Sequence, residues 1–391
     1  MISVRKAKKL VTEHARLLAT EVIPPDRAAG RVLAEHVYSP LHLPPFDQSA
    51  MDGYAVKFDG NAVSFKVMAE TAAGASFSGK LRSGQAVRIF TGAPVPGGAD
   101  AVIMQEKVKV SGRVITVEEG ALVRWANIRP AGSDLMKGAL ALRRGMMLNA
   151  AAAGLLASMG KKSVSVYAGP RVSILVTGNE LQPAGTKLRP GKIYESNSVA
   201  LLAALRRMGL SDVTCYGAPD KEERIRATLR KAARGSDMVL LTGGISVGDY
   251  DFAGAALKNI GVRTVFHKVR QKPGKPLFFG KKGAKLFFAL PGNPASVLTC
   301  FYEYVFPALR KMSGHPDFFM DEVKAPSRSA YSKRAGMSHF LKGKLDAGVH
   351  ILPGQESYKL GSFAGANCLV FLDEKTEQVR KGDFVKVHIL P

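Results

Sequence analysis

The feature that most constrains the fold is a series of short apolar strands that alternate with helices between residues 169 and 318. The strands are VSILV (172–176), MVLLTGG (238–244) and KLFFAL (285–290), and each runs directly into a loop. Between the first two, the pattern predicts a helix from Ser198 to Met208 and a second helix opened by Asp220, with Glu223 at capping-box spacing. Strands joined by crossover helices indicate a parallel sheet with helices on both faces.

The segments on either side of this region have different residue patterns. Residues 4–36 predict a helix, followed by the proline pair Pro24-Pro25 and a second helix through Val32. Residues 149–159 predict a further helix that packs back on this opening segment. Residues 44–134 consist of short β-like runs between glycines and prolines, which predicts an inserted all-β module. Residues 319–391 return to β runs and predict a small barrel or sandwich. The predicted domains are 1–43 with 135–168, 44–134, 169–318, and 319–391.

Composition limits the class of protein. The chain has 391 residues, 46% of them hydrophobic, which is enough for two or three cores. Its longest uncharged stretch, 286–302, is interrupted by two prolines, so no membrane span is predicted. No signal peptide is recognised either, and we expect a cytoplasmic protein. The three cysteines, which lack C-x-x-C spacing, are expected to be buried thiols and not a disulfide framework or zinc site: Cys215, Cys300 and Cys368.

The charge balance indicates an anionic ligand. Fifty-six Lys and Arg residues against 32 Asp and Glu give a formal charge of +24, which attracts anions of every kind. The basic residues are spread along the whole chain, without a basic tail, a recognition helix or interleaved aromatic residues. This distribution favours a small phosphorylated or oxyanionic ligand over nucleic acid.

A glycine-rich loop follows the second strand of the predicted sheet. Ligands of open parallel sheets bind beyond the carboxyl ends of the strands. There, glycines allow backbone N–H groups to approach a phosphate, and a serine adds a hydroxyl donor. Carboxylates directly after such a loop indicate a phosphate held with a divalent cation, for which Mg²⁺ is the natural candidate, although a simple turn is the alternative. The residues concerned are Thr242, Gly243, Gly244, Ser246, Gly248, Asp249 and Asp251.

Three further segments carry candidate binding groups. Lys268, Lys272 and Lys275 surround a proline-stiffened turn, which suits an oxyanion clamp; a solvated loop is the alternative. In PGNPAS (291–296), Pro294 is predicted as the first helical residue and Asn293 as its cap. In the β module, residues 44–56 combine turn-forming residues with two carboxylates.

The order and intervals of seven motifs resemble the MoeA family of molybdopterin molybdenumtransferases, which includes the E domain of gephyrin. The motifs span nearly the whole chain: PPFDQSAMDGYAV, FTGAPVP, TGNEL, SNS, TGGISVGDYDF, KPGKP and LPGNPAS. The resemblance implies an α/β plus β fold, with an elongated subunit made of a split helical domain, an inserted β domain, a molybdopterin-binding parallel α/β domain and a C-terminal β barrel. It also implies a homodimer whose site is shared between subunits.

The implied activity is the insertion of molybdate into adenylylated molybdopterin with release of AMP, assisted by Mg²⁺. The resemblance assigns Glu180 and Asp251 to the cation. The expected catalytic residues are Asp47, Glu180, Asp220, Asp251, Lys268 and Lys272. The expected binding residues are Thr91, Arg129, Asp134, Gly243, Gly244, Ser246, Lys272, Lys275, Pro276, Pro291, Asn293, Pro294 and Ser357. For Asp134 and Asp220, helix capping or turn capping is the alternative.

One departure from the family pattern bears on the function. Where many relatives have Gly-Arg before a phenylalanine of the C-terminal domain, this chain has Gly336-Met337, so an anion-binding arginine is missing. Arg334 and Lys342 are the candidate substitutes, while Ser357 and Ser362 match a family serine pattern. The alternatives are a non-catalytic scaffold on the same fold, or an enzyme that adenylylates the pterin. A molybdopterin-adenylylating protein is the expected partner.

Overall fold

The structure is a computed structural model, and it describes residues 1–60, 62–243 and 252–391. Its architecture is multidomain with mixed α and β content, as the sequence predicts at that level. None of the helices in these ranges has the length and hydropathy that crossing a membrane requires.

The opening segment is helical only at its start. It contains α1 (Val4–His14), β1 (Thr20–Ile23), a 3₁₀ turn at Pro25–Arg27 and β2 (Val37–Tyr38). The predicted second helix through Val32 is wrong: from Pro25 onward only one 3₁₀ turn forms, because Val32 and Leu33 pair as bridges with Met147 and Val166. The buried face of α1 joins the core beneath the parallel sheet.

The inserted β region is a six-stranded sheet, ordered β7-β4-β6-β5-β9-β8, with an additional short pair, β3 with β10. The strands match the runs predicted from the sequence, and their apolar side chains form separate clusters on the two faces of the sheet. The strands are β3 (Gln48–Ser49), β4 (Gly53–Val56), β5 (Ser64–Thr71), β6 (Gln85–Ile89), β7 (Ala101–Met104), β8 (Val108–Ser111), β9 (Val114–Val117) and β10 (Ile128–Arg129).

The chain then returns to the opening segment through β11 (Leu140–Leu142), α2 (Ala150–Ser158) and β12 (Val164–Tyr167). β11 pairs with β2, and β12 pairs with β1, both antiparallel. The side chains of Ala152 and Leu156 are buried with Leu33 and Val37. The prediction that this second helix packs against the opening segment is confirmed.

The parallel-sheet domain has the strand order β16-β13-β17-β21-β20-β18, in which the first four strands are parallel and the last two antiparallel. Its strands are β13 (Val172–Thr177), β14 (Leu181–Gln182), β15 (Ile193–Tyr194), β16 (Val213–Ala218), β17 (Met238–Thr242), β18 (Arg263–His267), β19 (Gln271–Lys272), β20 (Phe278–Lys282) and β21 (Lys285–Leu290). Its helices are α3 (Asn197–Arg207), α4 (Glu222–Gly235), α5 (Phe252–Asn259), α6 (Pro294–Cys300) and α7 (Phe306–Met312), with a π-helical turn at Phe301–Val305 between the last two.

The C-terminal sheet has the order β19-β24-β26-β28-β22, with β25 paired to β24. Its own elements are β22 (Glu322–Pro326), β23 (Tyr331–Ser332), β24 (Ser338–Leu345), β25 (Val349–Ile351), α8 (Gly361–Ala364), β26 (Cys368–Leu372), β27 (Gln378–Val379) and β28 (Phe384–Ile389). The edge strand β19 comes from the preceding segment and pairs parallel with β24. The turn that carries Lys272 and Lys275, which we call the lysine turn, therefore lies between two strands of the parallel-sheet domain in the chain and is also paired with the C-terminal sheet.

Candidate functional site

The parallel sheet has a topological switch point between β13 and β17. The chain passes from β13 through α3 to β16 on one side, whereas β17 lies on the other side of β13. The carboxyl ends of the two strands, Thr177 and Thr242, consequently open into one crevice. This is the position at which open α/β sheets bind ligands.

The floor of this switch crevice is too narrow for any residue but glycine. Gly243 has a φ of +86°, and a Cβ there would lie 2.0 Å from the carbonyl oxygen of Thr177. The hydroxyl oxygen of Thr177 is buried and has no hydrogen-bond partner among the described residues. The crevice therefore offers an unused hydroxyl beside backbone that can approach a ligand closely.

Asn197 connects the crevice to the loop after β21. Its side-chain Nδ2 donates to the Thr242 hydroxyl at 3.0 Å and to the Gly292 carbonyl at 2.7 Å, while its buried Oδ1 has no partner in the described structure. Asn197 belongs to the SNS motif, but the sequence alone predicted no role for it. One feature of the sequence could have identified Asn197: it is an amide residue at the start of a crossover helix. Such helix starts lie at the same edge of the sheet as the glycine-rich loop.

The predicted acidic residues Glu180 and Asp220 follow the carboxyl ends of β13 and β16, two neighbouring strands of the sheet. Asp220 Oδ2 accepts from the Asn179 backbone N–H at 3.0 Å, and Asn179 Oδ1 accepts from the Asp220 N–H at 3.2 Å. The predicted helix-capping role of Asp220 is wrong, because α4 begins at Glu222 with Lys221 at its N-cap. The other oxygen of Asp220 is buried without a partner among the described residues, and the Glu180 side chain is exposed nearby.

Several predicted ligand-binding residues lie outside the described residues. They are Gly244, Ser246, Gly248, Asp249 and Asp251. Within the described ranges, no group of three or more His, Cys, Asp or Glu side chains could hold a metal ion. The carboxylate oxygens of Glu180 and the free Asp220 oxygen are nevertheless the hard donors that Mg²⁺ prefers. Mg²⁺ commonly takes only one or two protein carboxylates together with substrate phosphates.

A second cavity, of about 490 Å³, lies between the parallel-sheet domain and the C-terminal sheet; we call it the interdomain cavity. Its wall brings together six of the residues predicted for the site, from three separate motifs. They are Lys272, Lys275, Pro276, Pro291, Asn293 and Ser357. Both lysine side chains are exposed, so their ammonium groups are available to a ligand.

The lysine turn has a rigid base. Gly274 has a φ of +86°, and a Cβ there would lie 2.5 Å from the Cys300 sulfur. Buried Gln271 donates from Nε2 to the Pro273 carbonyl at 3.1 Å, and its Oε1 accepts from the Tyr304 hydroxyl. Burial raises the pKa of the Cys300 thiol far above its ordinary value, so this cysteine stays neutral. Cys300 and Cys368 are buried as predicted, whereas Cys215 is exposed on an edge strand.

The loop after β21 closes the other side of the cavity. Pro294 is the first residue of α6, as predicted, but the Asn293 side chain does not cap the helix. Its Nδ2 donates instead to the Ser357 hydroxyl at 2.7 Å, and the Ser357 carbonyl accepts from the Ala295 N–H at 3.0 Å. Because the Ser357 oxygen already accepts, its hydrogen is free to point toward a ligand.

Neither of the two candidate substitutes for the missing arginine, Arg334 and Lys342, lines the interdomain cavity. Met337 itself lines the cavity. The Lys342 ammonium is directed into a neighbouring loop, and Arg334 is exposed and not part of the cavity wall. Burial, assisted by Lys333 and Lys272, lowers the pKa of His339 to about 4, so the imidazole behind the wall is neutral.

Lys268 lies outside the lining of the interdomain cavity. It adopts a left-handed conformation with a φ of +69°. Its backbone N–H donates to Leu277, and its carbonyl accepts from Ile2. The Lys268 side chain is half-buried. The predicted contribution of Lys268 to the local potential stays a prediction.

The remaining predicted residues lie on one edge of the inserted β region, which we call the β rim. Asp47 accepts from the Ala131 N–H at 2.7 Å, and Arg129 is paired in register with Gln48. Thr91 donates to Asp52 from its backbone N–H and its hydroxyl, and these bonds hold the pKa of Asp52 below its usual value. The Asp134 N–H donates to the Leu43 carbonyl, and its side chain is exposed. Across the described ranges, no hydrogen bond or ion pair joins this rim to the parallel-sheet domain.

Comparisons with known proteins agree along the whole chain. Residues 2–160 match the family described as "MoeA N-terminal region (domain I and II)", 173–311 match "Probable molybdopterin binding domain", and 324–390 match "MoeA C-terminal region (domain IV)". A molybdopterin molybdenumtransferase of Haemophilus influenzae is 34% identical over 94% of this chain and 93% of its own length.

Two further matches cover nearly both full lengths. Molybdopterin molybdenumtransferase 2 of Mycobacterium tuberculosis is 34% identical over 99% of each chain. The crystal structure of a molybdopterin biosynthesis moeA protein from Pyrococcus horikoshii OT3 has a TM-score of 0.82 at 32% identity, and the match covers 100% of each chain.

Proposed function

Because this chain belongs to the MoeA family, we propose that it is a molybdopterin molybdenumtransferase. Its substrates are adenylylated molybdopterin and molybdate, and its products are AMP and the molybdenum cofactor. The observation that carries the proposal is the interdomain cavity, where Lys272, Lys275 and Ser357 converge from two parts of the chain.

The interdomain cavity suits a tetrahedral dianion. Two exposed lysines supply two positive charges, and the Ser357 hydroxyl supplies a directional donor. Lysine ammonium groups are flexible point charges, in contrast to the planar bidentate fork of arginine. An oxyanion held by such groups is released to the reaction more readily than one held by a rigid clamp. The role of this cavity in this chain is therefore to capture molybdate.

The switch crevice suits the phosphate end of the pterin substrate. Gly243 permits close approach of the backbone, and the unpartnered Thr177 hydroxyl and Asn197 amide oxygen provide a donor and an acceptor. Gly244 and Ser246 extend this set on the family pattern. Asn197 also bonds to Gly292, so the residues that bind the two substrates belong to one hydrogen-bonded framework.

Glu180 and Asp251 are the proposed ligands of Mg²⁺. Asp220 is hydrogen-bonded to Asn179, the neighbour of Glu180, and its other oxygen has no partner among the described residues. Mg²⁺ supplies positive charge at the pyrophosphate, where negative charge develops as AMP departs, and such stabilisation is typically several kcal/mol. Lys268 adds positive potential from behind the lysine turn.

We further propose that the working unit is a homodimer with shared sites. Asp47, Thr91, Arg129 and Asp134 belong to the family's site pattern, yet they lie on the β rim, which makes no hydrogen bond or ion pair with the parallel-sheet domain among the described residues. A second copy can bring its β rim to the switch crevice of the first. A pterin-adenylylating protein in the cytoplasm is the proposed source of the substrate.

A second candidate function is a non-catalytic molybdopterin-binding scaffold. Met337 favours it, because a thioether occupies the cavity wall where many relatives have an arginine. The scaffold would bind both ligands without releasing AMP.

AMP release separates these candidates. Purified protein is mixed with adenylylated molybdopterin, Mg²⁺ and molybdate, and AMP is followed against a control without molybdate. We expect molybdate-dependent AMP release, and its loss in Asp251→Asn with the fold retained. Binding of both ligands without release would favour the scaffold, and ATP consumption with unmodified molybdopterin would indicate an adenylylating enzyme.

A further inference from the structure

The loop at residues 354–359 forms the C-terminal wall of the interdomain cavity. It carries Ser357, whose hydroxyl accepts from Asn293, and Gln355, which also lines the cavity. No helix or strand contains this loop. Its shape, and hence the position of the Ser357 hydroxyl, is therefore fixed by hydrogen bonds to its backbone, from the Ala295 N–H to the Ser357 carbonyl and from side chains to its other carbonyls.

Lys342, on β24, provides most of that fixation. Its ammonium nitrogen lies 2.6 Å from the carbonyl oxygen of Gly354, 3.1 Å from that of Lys359 and 3.3 Å from that of Glu356. The three N–H bonds of the ammonium are thus directed at three carbonyls, at the two ends and the middle of one short loop. The Lys342 backbone also exchanges two hydrogen bonds with the Gln355 side chain, at 2.9 Å each.

This lysine is in an unfavourable place for a charge. Its residue is only 2% exposed, and no carboxylate of the described residues lies within ion-pair distance of its nitrogen. Burial lowers the pKa of Lys342, and the nearby Glu356 opposes this effect only in part. An apolar side chain would fill the same space without desolvating a cation. The buried ammonium of Lys342 is therefore explained by the three loop carbonyls that it binds.

We propose that Lys342 is a positioning residue for molybdate binding: it holds the loop at residues 354–359 so that Ser357 faces Lys272 and Lys275 across the interdomain cavity. The inference rests on the proposed function of that cavity. Lys342 does not touch the oxyanion, since all its donors are occupied by carbonyl oxygens.

The test compares Lys342→Met with Lys285→Met. Lys285 is a partly buried lysine that donates to the Ser236 carbonyl at 2.6 Å, remote from the cavity, so it is a matched control for the loss of one lysine–carbonyl contact. Molybdate is titrated into each full-length protein by calorimetry, and thermal unfolding is recorded for both. We expect Lys342→Met to raise the Kd for molybdate about tenfold or more, as the loss of an oriented donor to an anion does, and Lys285→Met to leave it within about twofold.

Steady-state kinetics add a readout that general destabilisation would not move. Lys342→Met should raise KM for molybdate while leaving KM for adenylylated molybdopterin, and kcat at saturating molybdate, near the wild-type values. If Lys342→Met does not fold, Ser362→Ala replaces it. The Ser362 hydroxyl donates to the Gly354 and Lys359 carbonyls, and its removal should raise the Kd for molybdate about threefold.

Wild-type affinity for molybdate in folded Lys342→Met, or an equal loss in Lys285→Met, would overturn the positioning role and leave the proposed function intact. Absence of molybdate binding by the wild type itself would overturn both.

Discussion

Met337 gives the interdomain cavity an uncharged wall at the position where an arginine is expected from the family pattern. The charge that remains available comes from Lys272 and Lys275, because Lys342 is occupied by carbonyls and His339 is neutral. The cavity therefore attracts an oxyanion by two flexible cations and one hydroxyl, and it has no rigid fork.

Met337→Arg should tighten molybdate binding. The side chain would add a charge-assisted donor pair to the wall, and such hydrogen bonds contribute about 1.5–3 kcal/mol, so we expect the Kd to fall at least tenfold. Calorimetric titration of molybdate measures the change, with Met337→Leu as a control that keeps the size and apolar character. Unchanged or weaker binding by Met337→Arg would mean that Met337 does not face the bound anion.

The sequence names Lys272, Lys275 and Ser357 through their motifs, and the structure brings these three residues to one cavity. The sequence does not reveal what holds them in place. Lys342 is predicted only as a substitute for the missing arginine, and Asn197 receives no predicted role. Both bind backbone carbonyls of loops, and a side chain that binds backbone leaves no compositional trace. The hydrogen-bond partners of Asp220 were likewise not predictable, because α4 has its N-cap at Lys221, one residue after the predicted cap.

At the scale of elements, Glu303 joins three segments that are far apart in the chain. It lies in the π-helical turn and is fully buried. Its carboxylate contacts the ammonium of Lys8 from α1 at 2.5 Å and Nδ1 of His388 from β28 at 2.7 Å. Burial opposes ionisation of Glu303, but Lys8 and His388 together hold its pKa below the ordinary value.

Glu303→Gln should lower the free energy of unfolding by about 3 kcal/mol, because removing the carboxylate leaves the largely buried Lys8 ammonium without its compensating charge. Glu322→Gln is the matched control. Glu322 contacts the other nitrogen of His388 at 3.3 Å from a side chain that is 45% exposed, so its loss should cost less than about 1 kcal/mol. Chemical denaturation measures the free energy of unfolding of both variants. Equal losses in the two would contradict the claim that Glu303 is the carboxylate that joins these three segments.

The pH dependence of this difference follows from the sign of the shift. A carboxyl whose pKa is lowered by folding stabilises the fold above its unfolded pKa, and that stability is lost as the pH falls through the folded pKa. The gap between wild type and Glu303→Gln should therefore be full at neutral pH and shrink in acid. A gap that widened in acid would contradict the ion-pair interpretation.

The pairing of elements also explains why part of the opening segment was predicted wrongly. The central strands β17 and β21 are almost completely buried and rich in apolar residues, so their type was clear from the sequence. The opening segment has apolar spacing that fits a helix, but residues 20–23 pair with β12, a partner more than 140 residues away. Local periodicity does not report such long-range pairing.

At the scale of the whole molecule, the proposed site is divided between two regions that do not bond to each other within the described chain. The β rim carries Asp47, and the parallel-sheet domain with the C-terminal sheet carries Lys272. The overall charge of +24 draws anionic substrates toward both regions. A symmetric dimer that places one rim against the other chain's crevice would complete two equivalent sites.

Mixing two inactive variants tests this arrangement. Asp47→Ala and Lys272→Ala homodimers should each lack activity, whereas a mixed dimer has one site with both substitutions and one intact site. After subunit exchange, random assortment should restore about a quarter of the wild-type AMP release. No recovery, with exchange verified by mass spectrometry, would place both residues in the same chain's site.

The most direct measurement of the cavity's role is the dependence of AMP release on molybdate concentration in Lys272→Gln/Lys275→Gln and in the wild type. Loss of both cations from the interdomain cavity should raise KM for molybdate by about 100-fold, while KM for adenylylated molybdopterin stays near the wild-type value. Lys281→Gln/Lys282→Gln, at the end of the antiparallel strand β20, is the charge-matched control. An unchanged KM for molybdate in the Lys272/Lys275 variant would show that molybdate enters elsewhere.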